Sequence, residues 1–259
     1  MERKEKTSIY GLWIGKSLSL MEQLSIKSFL AHGHSFHLYV YDNVLDVPKQ
    51  VIIEDANKIV PKHEIFQYKH GVWKGSYAAF ANIFRYKLLF DLGGIWVDLD
   101  TVCLKPFDFE AEYIFSTEYF SQKKTIRLNN TIIKVPSRSN VMKACYDAAK
   151  EIDINSLDWR ENGSDLLEKF VYKFNLDCFR VVPETFCYIH WWEFEKLIEQ
   201  NANYVIPNNV YTIHLWNELW RQKNKNRSII EKLFYGKRFD KNKRYGPHTL
   251  YGCLQETYL

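Results

Sequence analysis

Two carboxylates one residue apart, Asp98 and Asp100, stand at the end of an apolar run in the stretch FRYKLLFDLGGIWVDLDTVCLKP, residues 84 to 106. Aspartate is a poor strand former and costly to bury unpaired, so this placement points to chemistry rather than to strand building. On a regular strand, residues two apart face the same side. If the strand ends there, both side chains reach a common point beyond its carboxyl end. Two hard oxygen ligands with little else nearby suit Mn2+ or Mg2+, whose remaining positions water and phosphate oxygens would fill.

A D-x-D at a strand end serves two enzyme chemistries. "VDLDT" matches the D-x-D-x-T of aspartyl-nucleophile phosphatases literally. Those enzymes also need a downstream acidic pair after another apolar strand. The chain has no Asp-Asp, "DINSLD" lacks the preceding strand, and the motif sits far from the first strand. The longer stretch favours the second chemistry. It resembles the sugar-binding D-x-D region of glycosyltransferase family 32, shared with the α1,4-galactosyl- and α1,4-N-acetylglucosaminyltransferases and with the glucosylating clostridial toxins. That pattern runs S-D-x-x-R, an apolar stretch, G-G-I-Y-x-D-x-D, then L-K-P. Further along, "GLWIG" resembles the family's opening strand, "LNNTII" its N-N-A segment and "NGSDLL" its G-P-D-L-L. "VPETFCYIHWWEF" resembles its P-x-x-F-Y-P-I segment and "IHLWNELW" its closing H-x-W. The matches are ordered and span most of the chain.

The resemblance implies a GT-A type fold, a divalent metal and retaining transfer of a hexose (galactose, glucose or N-acetylhexosamine) from a UDP-linked nucleotide sugar. Capsule or lipopolysaccharide assembly is the setting it implies, with a glycan or lipid-linked glycan as acceptor. Asp100 is expected to ligate the metal directly, and Asp98 to contact metal, ribose or sugar; the ion would neutralise charge developing on the leaving diphosphate. His214 is expected to complete the metal shell, and an imidazole nitrogen suits Mn2+ better than Mg2+. Arg85 and Asn82, three apart on one helix face, match the positions that address the donor sugar, with Asn82 standing where the family has Asp. An amide accepts a sugar hydroxyl as a carboxylate does, but adds a donor and loses a charge. Trp13 matches the aromatic against the uracil ring, and Trp216, Asn217 and Trp220 match the segment that closes over diphosphate and sugar. Asn130 and Asp165 match acceptor-side and site-lining positions. No residue presents itself as a covalent nucleophile, so a front-face transfer is expected, in which the departing phosphate helps to deprotonate the acceptor.

The elements that must position these residues read as an α/β domain. "TSIYGLWIG", "LSLMEQLSIKSFLAHG" and "SFHLYVYD" give a strand–helix–strand opening, as in nucleotide-binding halves. The next helix is "GSYAAFANIFRYKLLFDLGG", with Ser76 as N-cap and Gly93 as its stop. Strands are predicted at "GIWV", "EYIFSTE", "RLNNTIIKV" and "VYTIHL"; helices at "SNVMKACYDAAKEI", "GSDLLEKFVYKF", "WWEFEKLIEQ" and "NELWRQK". Without repeats or linkers, residues 1–259 read as a single domain with a central, mostly parallel sheet flanked by helices.

Composition narrows the setting. An apolar share of 46% with 25% charged residues is that of a globular protein. The aromatic share of 16% suits sites that stack bases or sugar rings. Gly11, Gly15 and Lys16 break the apolar part of the opening residues, so no signal peptide is expected, and no run is long enough to span a membrane. Five scattered cysteines without a C-x-x-C pair argue against disulfides and structural zinc, and for a reducing cytoplasm. Between Arg221 and Arg244 ten Lys/Arg face only Glu231 and Asp240, interleaved with Phe234, Tyr235, Phe239 and Tyr245. This basic aromatic segment, about 221–259, reads either as a solvated tail or as a surface for anionic lipid headgroups at the inner face of the membrane. No nucleic-acid motif accompanies it. The non-enzyme alternative is a glycosyltransferase-like binding protein, inactive because of Asn82. A further alternative is an exported effector.

Overall fold

A computed structural model of the chain describes residues 8–123, 125–200, 204–225 and 239–259. Its central sheet has six strands in the order β3-β2-β1-β4-β7-β6. They are β1 (Ile9–Trp13), β2 (Phe36–Val40), β3 (Ile52–Asp55), β4 (Gly94–Val97), β6 (Ile114–Tyr119) and β7 (Ile126–Val135). The first four are parallel, and β7 runs antiparallel to both β4 and β6. A separate pair, β5 (Thr101–Cys103) and β8 (Thr212–His214), lies antiparallel just beyond the D-x-D.

Both faces of the sheet are covered, which is why its inner strands read as nearly continuous apolar runs. On β4, Ile95 and Val97 join Ile26 and Phe29 of helix α1 (Leu20–Ala31) in one buried cluster with Ile9, Phe36 and Leu38. Trp96 points the other way, into a cluster with α2 (Ala78–Leu92), α3 (Asn140–Glu151) and α4 (Ser164–Lys173). A third cluster gathers Cys187 just past the short helix α5 (Pro183–Phe186), a 3-10 helix at Trp191–Leu197, α6 (Asn217–Lys225) and α7 (Leu250–Tyr258) near Met21 and Leu24. Among the described residues no helix is long and apolar enough to cross a membrane.

Local sequence explains the key joints. α1 opens with a capping box between Ser19 and Glu22. Its buried serines meet β5: Ser25 Oγ donates to the Thr101 carbonyl at 2.7 Å, and Ser28 Oγ accepts from Cys103 N at 2.8 Å. α2 ends at two successive left-handed glycines, Gly93 (φ 67°) and Gly94 (φ 89°). A side chain on Gly93 would stand 2.4 Å from the Ser137 amide, so only glycine turns the chain so directly from α2 into β4. The predicted cap of α2 shifts by a residue: Ser76 Oγ accepts from Ala78 N at 3.2 Å, while Tyr77 occupies the N-cap. Of "WWEFEKLIEQ", Trp191–Leu197 coil as a 3-10 rather than an α-helix, and the last three residues lie beyond it. Of the basic aromatic segment, Phe234, Tyr235, Lys237 and Arg238 lie outside the described residues.

Candidate active site

The end of β4 turns sharply. Asp98 N donates to the Thr131 carbonyl on β7 at 3.0 Å, and Thr101 N closes back on the Asp98 carbonyl at 3.1 Å. The pair therefore sits in a turn rather than on a regular strand, yet both carboxylates face one cavity of about 690 Å3. Asn82, Arg85, Asn130, His214 and Trp216 line the same cavity.

α2 brings two of these residues to the site from adjacent turns. Arg85 is 3% exposed; its Nη2 donates to Asp98 Oδ1 at 2.7 Å, its Nη1 to the Asn130 carbonyl, and it lies 4.9 Å over the Trp96 ring. Trp96 Nε1 donates to the same Asp98 oxygen at 2.8 Å. Asn82 joins a chain of amides, accepting from Asn130 Nδ2 at 2.7 Å and donating to Asn162 Oδ1 at 3.1 Å. Asn162 in turn donates to the Ala79 carbonyl at 2.8 Å. An aspartate at position 82 has no proton for the Asn162 oxygen, so the amide fits its neighbours as they stand.

Asp100 is bolted to the distant segment 214–217. Its carbonyl accepts from Leu215 N at 2.7 Å, its Oδ2 from Asn217 N at 2.9 Å, and His214 Nε2 stands 3.3 Å from that oxygen. Trp216, in the left-handed region at φ 57°, holds its ring 3.9 Å from the imidazole and donates to the Ile189 carbonyl at 2.8 Å. The electrostatics of the two carboxylates differ accordingly. Burial, with the Asp100 charge adding to it, pushes Asp98 above the usual carboxylate range, although Arg85 opposes it. Burial also acts on Asp100, but His214 and the Asn217 amide outweigh it and hold that carboxyl low. Burial alone would depress His214; Asp100 reverses this and holds the imidazole well above its ordinary value.

The donor set fits a hard divalent ion held mainly by its ligand. Among the described residues, no group of three or more His, Cys, Asp or Glu side chains converges to cage a metal. The 3.3 Å between Asp100 Oδ2 and His214 Nε2 is nonetheless close to the spacing of two adjacent ligands of one octahedral ion, roughly 3 Å for bonds near 2.1 Å, and an ion bound there would displace the proton that now joins the pair. Among the described residues, the side-chain bonds of Asp98 fall on Oδ1 and those from His214 and the Asn217 amide fall on Asp100 Oδ2, which leaves the other oxygen of each carboxylate free of these contacts.

Three expected site residues lie elsewhere. Trp13 does not line the cavity; it packs against the β1–β2–β4 core, and Lys241 Nζ, reaching over from the carboxyl-terminal segment, stands 5.0 Å above its ring. Trp220 is a core residue, 2% exposed and packed on Tyr251 and Phe239. Asp165 sits in the first turn of α4 outside the cavity lining, paired to Arg160 at 2.7 Å. Asn217 contributes through its backbone amide rather than by lining the cavity with its side chain.

Other residues enter that the sequence did not mark. Glu118, Arg127, Asn129 and Arg160 form a polar cluster on one wall. Trp73 and Trp159 stack at 3.8 Å on another, joining two loops. Arg221 ties α6 to the first of these loops through the Trp73 and Lys74 carbonyls. None of these contacts leaves a local signal, because each partner comes from a different segment.

An α/β sheet ending in two carboxylates over a cavity, flanked by an arginine, a histidine and an amide chain, offers hydrogen-bond donors and acceptors to a polar ligand. Residues 21–121, less than half of the chain, match the model of the glycosyltransferase sugar-binding region containing a DXD motif. No curated protein matches the chain. Among solved structures, it is similar to the glycosyltransferase PaToxG at 21% identity, with 67% of this chain and 72% of that chain covered and a TM-score of 0.48. A doubly Cys-to-Ser mutated transferase aligns at 12% identity over 68% of this chain and 92% of its own, with a TM-score of 0.44. The apo-form glycosyltransferase GlyE of Streptococcus pneumoniae aligns at 9% identity over 69% of this chain and 46% of its own, with a TM-score of 0.38.

Proposed function

We propose that this protein is a metal-dependent, retaining glycosyltransferase of GT-A type that moves a hexose from a UDP-linked sugar to a hydroxyl of a glycan acceptor. The observation that carries the reading is the turn at Asp98–Asp100, which aims both carboxylates into one cavity while Arg85 and His214 grip them from opposite sides. The match of residues 21–121 to a DXD sugar-binding region supports the same chemistry. Asp100 and His214, with the free oxygen of Asp98, would hold Mn2+ or Mg2+. That ion, when bound, supplies positive charge against the leaving diphosphate.

The chain's own residues would do the rest. Arg85 keeps Asp98 oriented and offsets its charge. The Asn82 and Asn130 amides offer donors and acceptors to sugar hydroxyls. Glu118 is saturated by two arginines and Asn129, so it is a poor nucleophile, and transfer on the front face of the sugar fits the site better than a covalent intermediate. The phosphatase reading of "VDLDT" needs a second, available acidic pair. The further acids in the cavity, Glu118 and Glu218, are engaged by Arg127, Arg160 and Arg221. The setting proposed with this reading, on the resemblance alone, is capsule or lipopolysaccharide assembly in the cytoplasm.

Nucleotide release from a panel of UDP- and GDP-sugars, with Mn2+ and with chelator, tests the proposal against Asp100→Ala. Metal-dependent release from one UDP-sugar, lost in the variant, is expected. Metal-dependent UDP binding without release from any donor or acceptor would favour the inactive binding protein. Absence of both binding and release would refute the proposal.

A further inference from the structure

The cavity lining includes a second cluster of charged side chains besides the Asp98–Asp100 turn. Glu118, near the end of β6, is 5% exposed, and its carboxylate is fully engaged. Oε1 accepts from Arg127 Nε at 2.8 Å and Arg160 Nη1 at 3.0 Å, and Oε2 accepts from Asn129 Nδ2 at 2.8 Å. Two guanidinium groups meet two carboxylates there, since Arg160 also pairs with Asp165 at 2.7 Å, so what the wall offers a ligand is unused donors rather than surplus charge. Arg160 is spent, since its remaining nitrogens go to Asp165 and the Leu128 carbonyl. Arg127 is different. Among the described residues only its Nε donates, and both Nη groups have no acceptor.

Arg127 is also held in place. It sits directly across the β6–β7 ladder from Glu118, and its guanidinium lies 4.3 Å over the Phe120 ring. Its side chain is 19% exposed and lines the cavity, so the two free Nη groups form a rigid fork open to a ligand. Such a planar fork matches the two oxygens of a carboxylate or phosphate, and a neutral hydroxyl fills it poorly. The diphosphate of a donor is assigned to the Asp98–Asp100 end, so the oxyanion here belongs to the other substrate.

We propose that Arg127, braced by Glu118 and Phe120, binds a carboxylate or phosphate on the acceptor, which makes the acceptor an acidic glycan. The word acceptor rests on the transferase reading above; the anion site itself does not.

The test reads binding rather than turnover. Trp73, Trp159 and Trp191 line the cavity, so intrinsic fluorescence reports occupancy. Methyl glucuronide, glucose 6-phosphate and methyl glucoside are titrated at constant ionic strength into the wild type, Arg127→Gln and Arg127→Lys. At least one anionic sugar is expected to bind the wild type about tenfold tighter than methyl glucoside, the worth of a charge-assisted hydrogen bond. That advantage should fall below about twofold in Arg127→Gln and persist in part in Arg127→Lys. A glucuronide preference identifies an acceptor bearing a uronic acid, and a sugar-phosphate preference one bearing a phosphate. In Arg127→Gln the Glu118 carboxylate keeps Arg160 and Asn129, and circular dichroism checks the fold. Should that variant unfold, the wild type and Arg127→Lys decide. Equal binding of charged and neutral sugars, or an anionic advantage that survives in Arg127→Gln, overturns the proposal. Failure of metal-dependent nucleotide binding would remove the transferase reading and leave this titration standing.

Discussion

Gly163 tests the amide chain most directly. It precedes α4 with an ordinary negative φ of −104°, so closeness rather than backbone freedom makes it glycine. A Cβ there would stand 2.7 Å from Asn82 Nδ2 and 3.2 Å from Asn130 Nδ2, where ordinary contact begins at 3.4 Å. In Gly163→Ala the Asn82 amide must therefore retreat by about 0.7 Å while Asn130 is pressed as well. The Asn82–Asn162 bond is already 3.1 Å long, so a retreat of that size takes it out of hydrogen-bond reach. A buried amide left without its partner costs about 1–3 kcal/mol. At roughly 2–4 °C per kcal/mol for a chain near this size, Tm should fall by about 2–12 °C. Calorimetry measures that fall, and nucleotide release in the folded variant should drop because both displaced amides face the cavity. A Tm within about a degree of wild type, with release unchanged, would refute the claim that the amides are locked against Gly163.

Other outcomes follow from the same contacts. Trp220→Phe should cost a few degrees of Tm but keep nucleotide release near wild type; a large loss of release in a folded variant would return the indole to the site. His214→Ala should raise the half-saturating Mn2+ concentration in nucleotide binding more than that of Mg2+, since nitrogen ligands favour the former; an equal change would remove the imidazole from the metal shell. Glu22→Ala removes the partner of Lys241 (2.6 Å) and the capping box, and should lower the unfolding free energy by about 1–2 kcal/mol, read as a lower urea midpoint with m unchanged. Burial pushes the Cys103 thiol up to about 12 and also raises Cys145 and Cys187, whereas Cys178 and Cys253 are exposed. Alkylation of the native protein at pH 8 should therefore label Cys178 and Cys253 alone, with all five reacting after denaturation.

The parts of the fold legible in the sequence are those with strong local signals. "GGIWVDLD" announces both the turn out of α2 and the acidic end of β4, and Asn82 and Arg85 share a helix face by spacing alone. β3 was not read because its short run is mostly exposed at the sheet edge, where no alternation of burial marks it. α7 carries Gly252, whose missing side chain lets the helix pack against the Gly246 carbonyl, and glycine is a poor helix signal. Trp13 and Trp220 show the limit at the site. Both are tryptophans next to recognisable motifs, and only tertiary contacts with Lys241, Phe239 and Tyr251 decide which way they face. The Glu118–Arg127–Arg160 cluster was invisible for the same reason, since Arg160 reaches Glu118 from 42 residues away.

The clasp on Asp100 also sets an order of assembly during synthesis. Asn217, which donates to its carboxylate, follows it by 117 residues. At ribosomal speeds that separation is roughly 6–23 s of translation. The six strands of the main sheet can pair in the emerging chain during that interval, while Asp100 has neither the amides of Leu215 and Asn217 nor the imidazole. The ligand-binding end of the molecule is thus completed only when a late segment returns across it. A chain that stops short of residue 212 would retain every strand of the main sheet and have no means of closing its own site.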